Sequence, residues 1–219
     1  MTILCLTGWQ QKYDALAEIA PKARHFDYAA YDNARAMFAA LPKQVDLAIG
    51  WSLGGQLLVQ AIAGGFVKAK TLLLIGAPFQ CIASKDFPYG MSAAEFGEIR
   101  ENYRKHPKEM VFQFNTLVGM GNPKTARIIQ KLNQGSEIWK NGLYWLDELG
   151  KTSCASLDYS KFSKTIILHG ATDKIINPAN ANKFAEILPD SELIIWQACG
   201  HAPHLQDAEG LRNIIKAHV

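Results

Sequence analysis

The sequence predicts an α/β fold with a doubly wound, mainly parallel sheet and an inserted helical lid. Continuous apolar runs alternate with helix-like runs over most of the chain, which indicates a parallel sheet covered by helices on both faces. One stretch in the middle of the chain lacks strand-like runs and has helical patterning throughout. The chain has 219 residues, of which 48% are hydrophobic, so it can bury one sizeable core.

Before the middle stretch, strand-like and helix-like segments follow each other in order. Strands are expected over residues 3–6, 24–27, 45–49 and 71–75. Helices are expected over residues 10–20, 33–41 and 53–63. Pro42 and Gly64 are the signals that end the last two of these helices. Right-handed crossovers between such strands place helices on both faces of a single sheet.

The middle stretch, residues 80–155, is expected to form the lid. It contains no β-branched runs, and glycine and proline residues separate its helix-like segments. Helices are expected there over residues 93–105, 107–118, 123–132 and 136–149. The sheet is expected to resume with strands over residues 165–168 and 192–196 and helices over residues 178–188 and 209–217. The α/β core therefore comprises residues 1–79 and 156–219.

Charge, hydropathy and cysteines exclude several classes of function. The chain carries 23 basic and 20 acidic residues, and a net charge of +3 argues against a dedicated nucleic-acid-binding protein. No apolar run approaches the roughly 18 residues that span a bilayer, and the N-terminal run is too short for a signal peptide. The four cysteines have no metal-ligand spacing. We expect a cytoplasmic monomer with reduced thiols, no membrane contact and no bound metal; a disulfide is the alternative for the cysteines.

The most informative motif fits the pattern G-x-S-x-G, as Gly50-Trp51-Ser52-Leu53-Gly54. This pattern is typical of a nucleophilic serine on a sharp turn between a strand and a helix. Side chains two positions before and after the serine collide in such a turn, so both flanking positions need glycine. A strand is predicted before Ser52 and a helix after it, as the motif requires. The alternative is a tight turn whose serine only caps the helix.

A serine nucleophile needs a base and an orienting acid, which follow it in the order acid, then histidine. Asp173 and His201 each come directly after a later predicted strand. The carboxyl ends of parallel strands lie at one edge of the sheet, so we expect both residues beside Ser52. Structural alternatives are a loop cap for Asp173 and an ordinary loop position for His201. His204 is a nearby competitor for the role of base.

The tetrahedral intermediate of acyl transfer needs two hydrogen-bond donors. One is expected to be the main-chain N–H of Leu53, which follows the nucleophile. The other is expected from the loop after the first strand, where Gly8 precedes Trp9. The main-chain N–H of Trp9 would then donate, and its ring would line the acyl pocket. Simple packing at the end of a strand is the alternative for Trp9.

The motifs that carry these residues are Thr7-Gly8-Trp9, Gly50-Trp51-Ser52-Leu53-Gly54-Gly55, Gly170-Ala171-Thr172-Asp173 and Gly200-His201-Ala202-Pro203. Together they resemble the α/β-hydrolase superfamily. In the lid, Phe112-Gln113-Phe114-Asn115 and Thr125-Ala126-Arg127 are similar to segments of a narrower family, the pimeloyl-acyl carrier protein methyl ester esterases of biotin synthesis. The resemblance implies an α/β-hydrolase fold that here lacks the usual N-terminal β-hairpin. Thr7 stands where that family commonly has a histidine.

The resemblance implies a serine esterase that cleaves the methyl ester of pimeloyl-acyl carrier protein and releases methanol without a cofactor. Ser52, Asp173 and His201 would be its catalytic triad. The resemblance further implies that Trp9 and Leu53 form the oxyanion hole. Phe114 would line the acyl channel. Arg127 and Lys131 would contact the carrier protein.

A basic run supports the carrier-protein contact independently. Residues 100–131 contain seven basic and two acidic residues, a local charge of +5. Such a patch would steer an acidic carrier domain toward the active site. The candidate contacts within it are Arg100, Arg104, Arg127 and Lys131. A solvated helical face is the alternative.

Two other functions stay open on the sequence alone. The first is a broad short-chain carboxylesterase or thioesterase that takes small esters and has no carrier-protein partner. The second is a binding protein of the same fold without catalytic activity.

Overall fold

The computed structural model describes residues 1–218, and a six-stranded parallel sheet forms its centre. The strands are β1 (Ile3–Leu6), β2 (Arg24–His25), β3 (Gln44–Trp51), β4 (Lys68–Ile75), β5 (Lys164–Gly170) and β6 (Ser191–Trp196). Their order across the sheet is β2-β1-β3-β4-β5-β6, and every neighbouring pair is parallel. The predicted α/β fold with a mainly parallel sheet is therefore confirmed.

Six helices cover the two faces of the sheet. They are α1 (Asp14–Ala17), α2 (Ala34–Ala40), α3 (Leu53–Ala63), α8 (Ala179–Ile187), α9 (Pro203–Gln206) and α10 (Ala208–His218). Successive residues of one strand point to opposite faces, and both faces are buried. In β4, for example, Leu72 and Leu74 belong to the core cluster that includes α2, α3 and α8, whereas Leu73 belongs to the cluster that includes α1 and α10. This double burial explains why the strands read as continuous apolar runs.

Four further helices lie between β4 and β5, and we call them the four-helix segment. They are α4 (Ala93–Lys105), α5 (Pro107–Val118), α6 (Pro123–Asn133) and α7 (Gly142–Lys151). Local signals set the start of α4, where Ser92 and Glu95 form a reciprocal capping box. Pro107 and Pro123 occupy the first positions of α5 and α6. These three helices match their predicted bounds to within one residue.

Two predicted helices are shorter than the sequence pattern indicates. The helix expected over residues 10–20 is the single turn α1, and Gln10 has a left-handed backbone with a φ of 58°. The helix expected over residues 136–149 begins only at Gly142. Before that point, the main-chain N–H of Trp139 donates to Gln10 Oε1, and the Asn141 side chain donates to the carbonyl of Tyr31. These tertiary hydrogen bonds replace those of a helix. Within residues 1–218, no helix has the length and apolar character needed to cross a membrane.

Candidate active site

Ser52 lies on a strained turn between β3 and α3. Its backbone angles, φ 53° and ψ −125°, are outside the regions that non-glycine residues normally adopt. A Cβ atom on Gly50 would lie 2.4 Å from the Cα atom of Gly55, and one on Gly54 would lie 2.3 Å from the carbonyl oxygen of Leu6. Both glycines are therefore required sterically, as the motif predicts. The Ser52 side chain makes no capping hydrogen bond to α3.

Asp173 and His201 come together at the carboxyl edge of the sheet, after β5 and β6. His201 Nδ1 lies 2.7 Å from Asp173 Oδ2, and both side chains are fully buried. His201 Nε2 is buried and has no hydrogen-bond partner among residues 1–218. Trp51, the neighbour of Ser52, donates its indole N–H to the carbonyl of His201 at 2.9 Å. The histidine backbone is thereby held beside the turn that carries Ser52.

A second histidine, His169 at the end of β5, also contacts Asp173. Its Nε2 atom lies 3.1 Å from Asp173 Oδ2 and 2.9 Å from the carbonyl oxygen of Ile176. Since both neighbours are acceptors, Nε2 carries the proton and the two oxygens share it. The sequence pattern does not predict this contact with Asp173. The one sign of it in the sequence is that His169 stands at the end of the apolar run of β5, four residues before Asp173.

The carboxylate of Asp173 is held in its ionised form. Burial alone would raise the pKa of this group, but His201 and His169 outweigh burial, and the pKa lies well below its ordinary value. The other carboxylate oxygen, Oδ1, accepts the main-chain N–H groups of Ile175 and Ile176 at 2.8 and 3.0 Å. The carboxylate thus has four neighbouring donors, namely two main-chain N–H groups at Oδ1 and two histidine rings at Oδ2.

The loop after β1 passes close to Ser52. A Cβ atom on Gly8 would lie 3.4 Å from the Cβ atom of Ser52, so the backbone that leads to Trp9 lies beside the serine. The Trp9 ring is buried and packs edge-on against Phe114, with ring centroids 5.2 Å apart. Leu53 is the first residue of α3, where main-chain N–H groups have no partner within the helix. These placements allow the donor roles predicted for Trp9 and Leu53.

Thr7 stabilises this loop. It stands at the position where the narrower family that the sequence resembles commonly has a histidine. Its hydroxyl donates to the carbonyl of Gln11 at 3.0 Å, and its own carbonyl accepts the hydroxyl of Tyr28 at 3.1 Å. The threonine therefore links the start of the loop to Gln11, farther along the loop, and to the side chain of Tyr28.

The four arginine and lysine residues predicted to contact a carrier protein fall into two groups. Arg100 on α4 pairs with Asp147, with Nε 2.7 Å from Oδ1. Arg104 pairs with Glu101 through two hydrogen bonds of 2.9 and 2.8 Å. Arg100 thus has a carboxylate of its own, whereas Arg104 shares Glu101 with Lys105, whose Nζ lies 3.1 Å from Glu101 Oε1.

Arg127 and Lys131 differ from this first pair. Both lie on α6 and line a cavity of about 830 Å³, together with Lys108 from α5. In the part of the chain that the structure describes, none of these three cations has a carboxylate within ion-pair distance. The cavity also reaches Gln10 and Asn115, so it adjoins the loop after β1. Its lining also contains one carboxylate, Glu137, so three cations and one anion give the opening a net positive charge.

His204, the competitor for the role of base, lies in a different environment. Its ring is fully buried against Trp51, with ring centroids 4.5 Å apart, and neither ring nitrogen has a partner in residues 1–218. Burial and the neighbouring His201 lower the pKa of His204 to about 3. Without an orienting carboxylate it lacks the arrangement of a general base, which His201 has.

Replacing His204 with leucine is expected to reduce the acid sensitivity of the fold. Because the pKa of the buried ring is about 3 and that of an unfolded histidine is about 6.5, the unfolded chain binds the extra proton between these values. Acidification through this window therefore destabilises the wild type by about 1.4 kcal/mol per pH unit from this group. Between about pH 7 and pH 5 the difference reaches about 2 kcal/mol, and denaturant unfolding of both proteins measures it.

The control for this experiment is His106→Gln, because His106 is exposed at the start of α5. This variant should keep the pH dependence of the wild type. A leucine variant with the same pH dependence as the wild type would show that the His204 ring is protonated or solvated in the folded state.

Histidine, cysteine and acidic side chains are also the residue types that hold metal ions in proteins. Across residues 1–218, no group of three or more His, Cys, Asp or Glu side chains has the arrangement of a metal site. All four cysteines are buried as free thiols. Burial raises the pKa of the Cys5 and Cys81 thiols to about 12.

Known proteins are similar to this chain in sequence or in fold. The model of a family described as "Alpha/beta hydrolase family" matches residues 6–213. The "Pimeloyl-[acyl-carrier protein] methyl ester esterase" of Nitrosomonas europaea is 26% identical over 165 residues, which are 73% of this chain and 66% of that protein. The protein of that name from Neisseria meningitidis serogroup C is 26% identical over 209 residues, 91% of this chain and 78% of that protein. An esterase from Exiguobacterium antarcticum has the same fold, with a TM-score of 0.86 at 17% identity over 99% of this chain and 91% of that one.

Proposed function

The chain belongs to the alpha/beta hydrolase family, and we propose that it is a serine esterase acting on the methyl ester of pimeloyl-acyl carrier protein. The class, carboxylic ester hydrolase, follows from the family and from relatives named as esterases. The observation that carries the catalytic assignment is the 2.7 Å contact between Asp173 and His201 beside the strained turn of Ser52. The substrate assignment rests on the names of relatives that are 26% identical.

In the proposed mechanism, Nε2 of His201 takes the proton of Ser52 as the serine oxygen attacks the ester carbonyl. Asp173 accepts the Nδ1–H of His201, which fixes the tautomer and stabilises the imidazolium. The main-chain N–H groups of Trp9 and Leu53 donate to the developing oxyanion. Methanol leaves with the proton from His201, and water then hydrolyses the acyl-enzyme by the same steps.

We assign the four-helix segment, within residues 80–155, the role of a lid over the core formed by residues 1–79 and 156–219. Ser52 is 3% exposed and His201 is 1% exposed. A substrate therefore needs a movement of the covering residues to reach the serine. Phe114 supports this role, because it lies on α5 and its ring contacts Trp9 in the loop beside Ser52.

The proposed partner is an acidic carrier protein that binds at the cavity lined by Lys108, Arg127 and Lys131. Within residues 1–218 these cations have no carboxylate within ion-pair distance, whereas Arg100 and Arg104 do, which supports a smaller contact surface than the four residues expected from the sequence. Uncompensated charge attracts an acidic domain at long range, and salt weakens this attraction.

Arg127→Glu is expected to lower kcat/KM about tenfold for the carrier-bound methyl ester at low salt, because the reversal removes steering by the patch. Hydrolysis of the free methyl ester with the same acyl chain should change less than about twofold. Methanol release from both substrates measures the two effects.

The matched control is Arg104→Glu, which makes the same charge change at an arginine that already pairs with a carboxylate, Glu101, shared with Lys105. This variant should affect both substrates alike. Equal losses on both substrates with Arg127→Glu would exclude carrier docking at this cavity. Good turnover of free esters without turnover of the carrier-bound ester would identify a broad carboxylesterase instead.

A further inference from the structure

Three consecutive residues of the loop after β1 each donate a side-chain hydrogen bond to a different helix of the four-helix segment. The bonds run from Trp9 Nε1 to the carbonyl of Gly142 on α7 (2.8 Å), from Gln10 Nε2 to the hydroxyl of Tyr103 on α4 (2.8 Å) and from Gln11 Nε2 to Asn115 Oδ1 on α5 (2.7 Å). The loop that holds the proposed oxyanion donor is thus bonded to the segment proposed as the lid.

Gln11 is the most fully engaged of the three. Its Oε1 atom accepts the Asn133 side-chain N–H from α6 at 3.1 Å, so both ends of its amide bond to the four-helix segment. Its main chain closes the loop: the N–H donates to the carbonyl of Gly8 at 3.1 Å, and the carbonyl accepts the hydroxyl of Thr7 at 3.0 Å. One residue therefore joins the turn that carries Trp9 to two helices.

These contacts link the shape of the loop to the position of the helices. Gln11 is 3% exposed, and a buried amide that loses its hydrogen-bond partners destabilises the fold. Gln10 has a left-handed backbone, which a non-glycine residue adopts at a cost, and its side chain bonds to Tyr103 and to the N–H of Trp139. Moving α5 and α6 away would remove both side-chain partners of Gln11, and only the bonds of Trp9 and Gln10 to α7 and α4 would still hold the loop.

We propose that Gln11 is a positioning residue that aligns the main-chain N–H of Trp9 with the oxyanion only while α5 and α6 lie over the loop. This inference rests on the proposed esterase function. It makes the oxyanion hole complete in the closed form and incomplete in the open form, so that acyl transfer occurs only after the helices have closed over the substrate.

The test compares Gln11→Met with Asn115→Leu and with the double variant. Methionine and leucine keep the approximate size of the original side chains but form no amide hydrogen bond. Each single variant is expected to lower kcat about 10- to 100-fold with KM changed less than about threefold, because a misplaced donor weakens the transition state more than substrate binding. The double variant should be no slower than the slower single variant, since the two side chains act as one unit.

Gln113→Met serves as the control, because Gln113 is exposed on α5 and the same substitution there should leave kcat unchanged. Hydrogen exchange adds a measurement that does not depend on activity. Backbone amides of residues 8–11 should exchange faster in Asn115→Leu, although the substitution lies on α5. This remote effect distinguishes positioning through the helix from a local role of Gln11 in the loop.

Two results separate the hypotheses. If Asn115→Leu leaves both kcat and exchange at residues 8–11 unchanged, the positioning role of Gln11 is wrong even when Gln11→Met is slow. If the wild type hydrolyses no carboxylic ester, the proposed function is wrong, and the exchange comparison still decides whether the helices hold the loop.

Discussion

Replacing Ser52 with alanine is expected to lower kcat for a free methyl ester roughly 10⁴- to 10⁶-fold. The variant lacks the oxygen that forms the acyl-enzyme, and the remaining oxyanion donors supply only the residual rate. The fold should be retained, because the serine side chain makes no capping hydrogen bond and alanine accepts the same backbone angles at similar cost. Methanol release measures kcat, and thermal unfolding checks the fold.

Ser163→Ala is the matched control, because Ser163 is exposed and lies away from the proposed site, before β5. It should keep full activity. Equal rates for Ser52→Ala and the wild type would contradict the serine mechanism and favour a binding protein of this fold. Loss of stability together with activity would instead show that the strained turn depends on the serine.

Asp173→Asn is expected to lower kcat about 10⁴-fold. The carboxylate is surrounded only by donors, namely two main-chain N–H groups at Oδ1 and two histidine nitrogens at Oδ2. An asparagine amide has one accepting and one donating end, so its NH₂ group must face donors in either orientation. If it faces His201, the ring proton moves from Nδ1 to Nε2, the atom that should receive the serine proton.

This variant separates a catalytic role from the loop-cap alternative for Asp173. A residue that only caps the loop through Ile175 and Ile176 can keep those bonds as asparagine, and kcat would then fall less than about tenfold. Asp86→Asn, an exposed position with no side-chain hydrogen bond in the described residues, is the control for the change of charge. The pH dependence of kcat in both variants shows whether the base itself was altered.

The features that the sequence predicts well have local causes. The bounds of α4 and α5 follow from Ser92, Glu95 and Pro107, which lie within or next to those helices. The turn at Ser52 follows from the steric need for glycine on both sides of the serine. The parallel sheet follows from runs that are apolar at every position, since both of its faces are covered.

The features that the sequence does not predict depend on residues far apart in the chain. Arg100 pairs with Asp147, 47 positions later, and the basic run around the arginine gives no sign of this partner. Gln11 bonds to Asn115, 104 positions away, and nothing in the local pattern distinguishes it from a surface glutamine. The predicted helix over residues 10–20 shortens because its first residues belong to the loop after β1, where Gln10 has a left-handed backbone and the Gln11 N–H donates to the carbonyl of Gly8.

The strand order has a consequence for synthesis of the protein. β1 to β4 come from the first 75 residues, and they carry the proposed nucleophile and the loop with Trp9. The proposed acid and base follow β5 and β6. β5 can pair with β4 only after the chain has closed the connection formed by residues 76–163, and β6 then pairs with β5. Pairings between distant segments form slowly during folding. A chain still on the ribosome therefore holds the proposed nucleophile without its proposed base, and we expect hydrolytic activity only after residues up to His201 have been made and have joined the sheet.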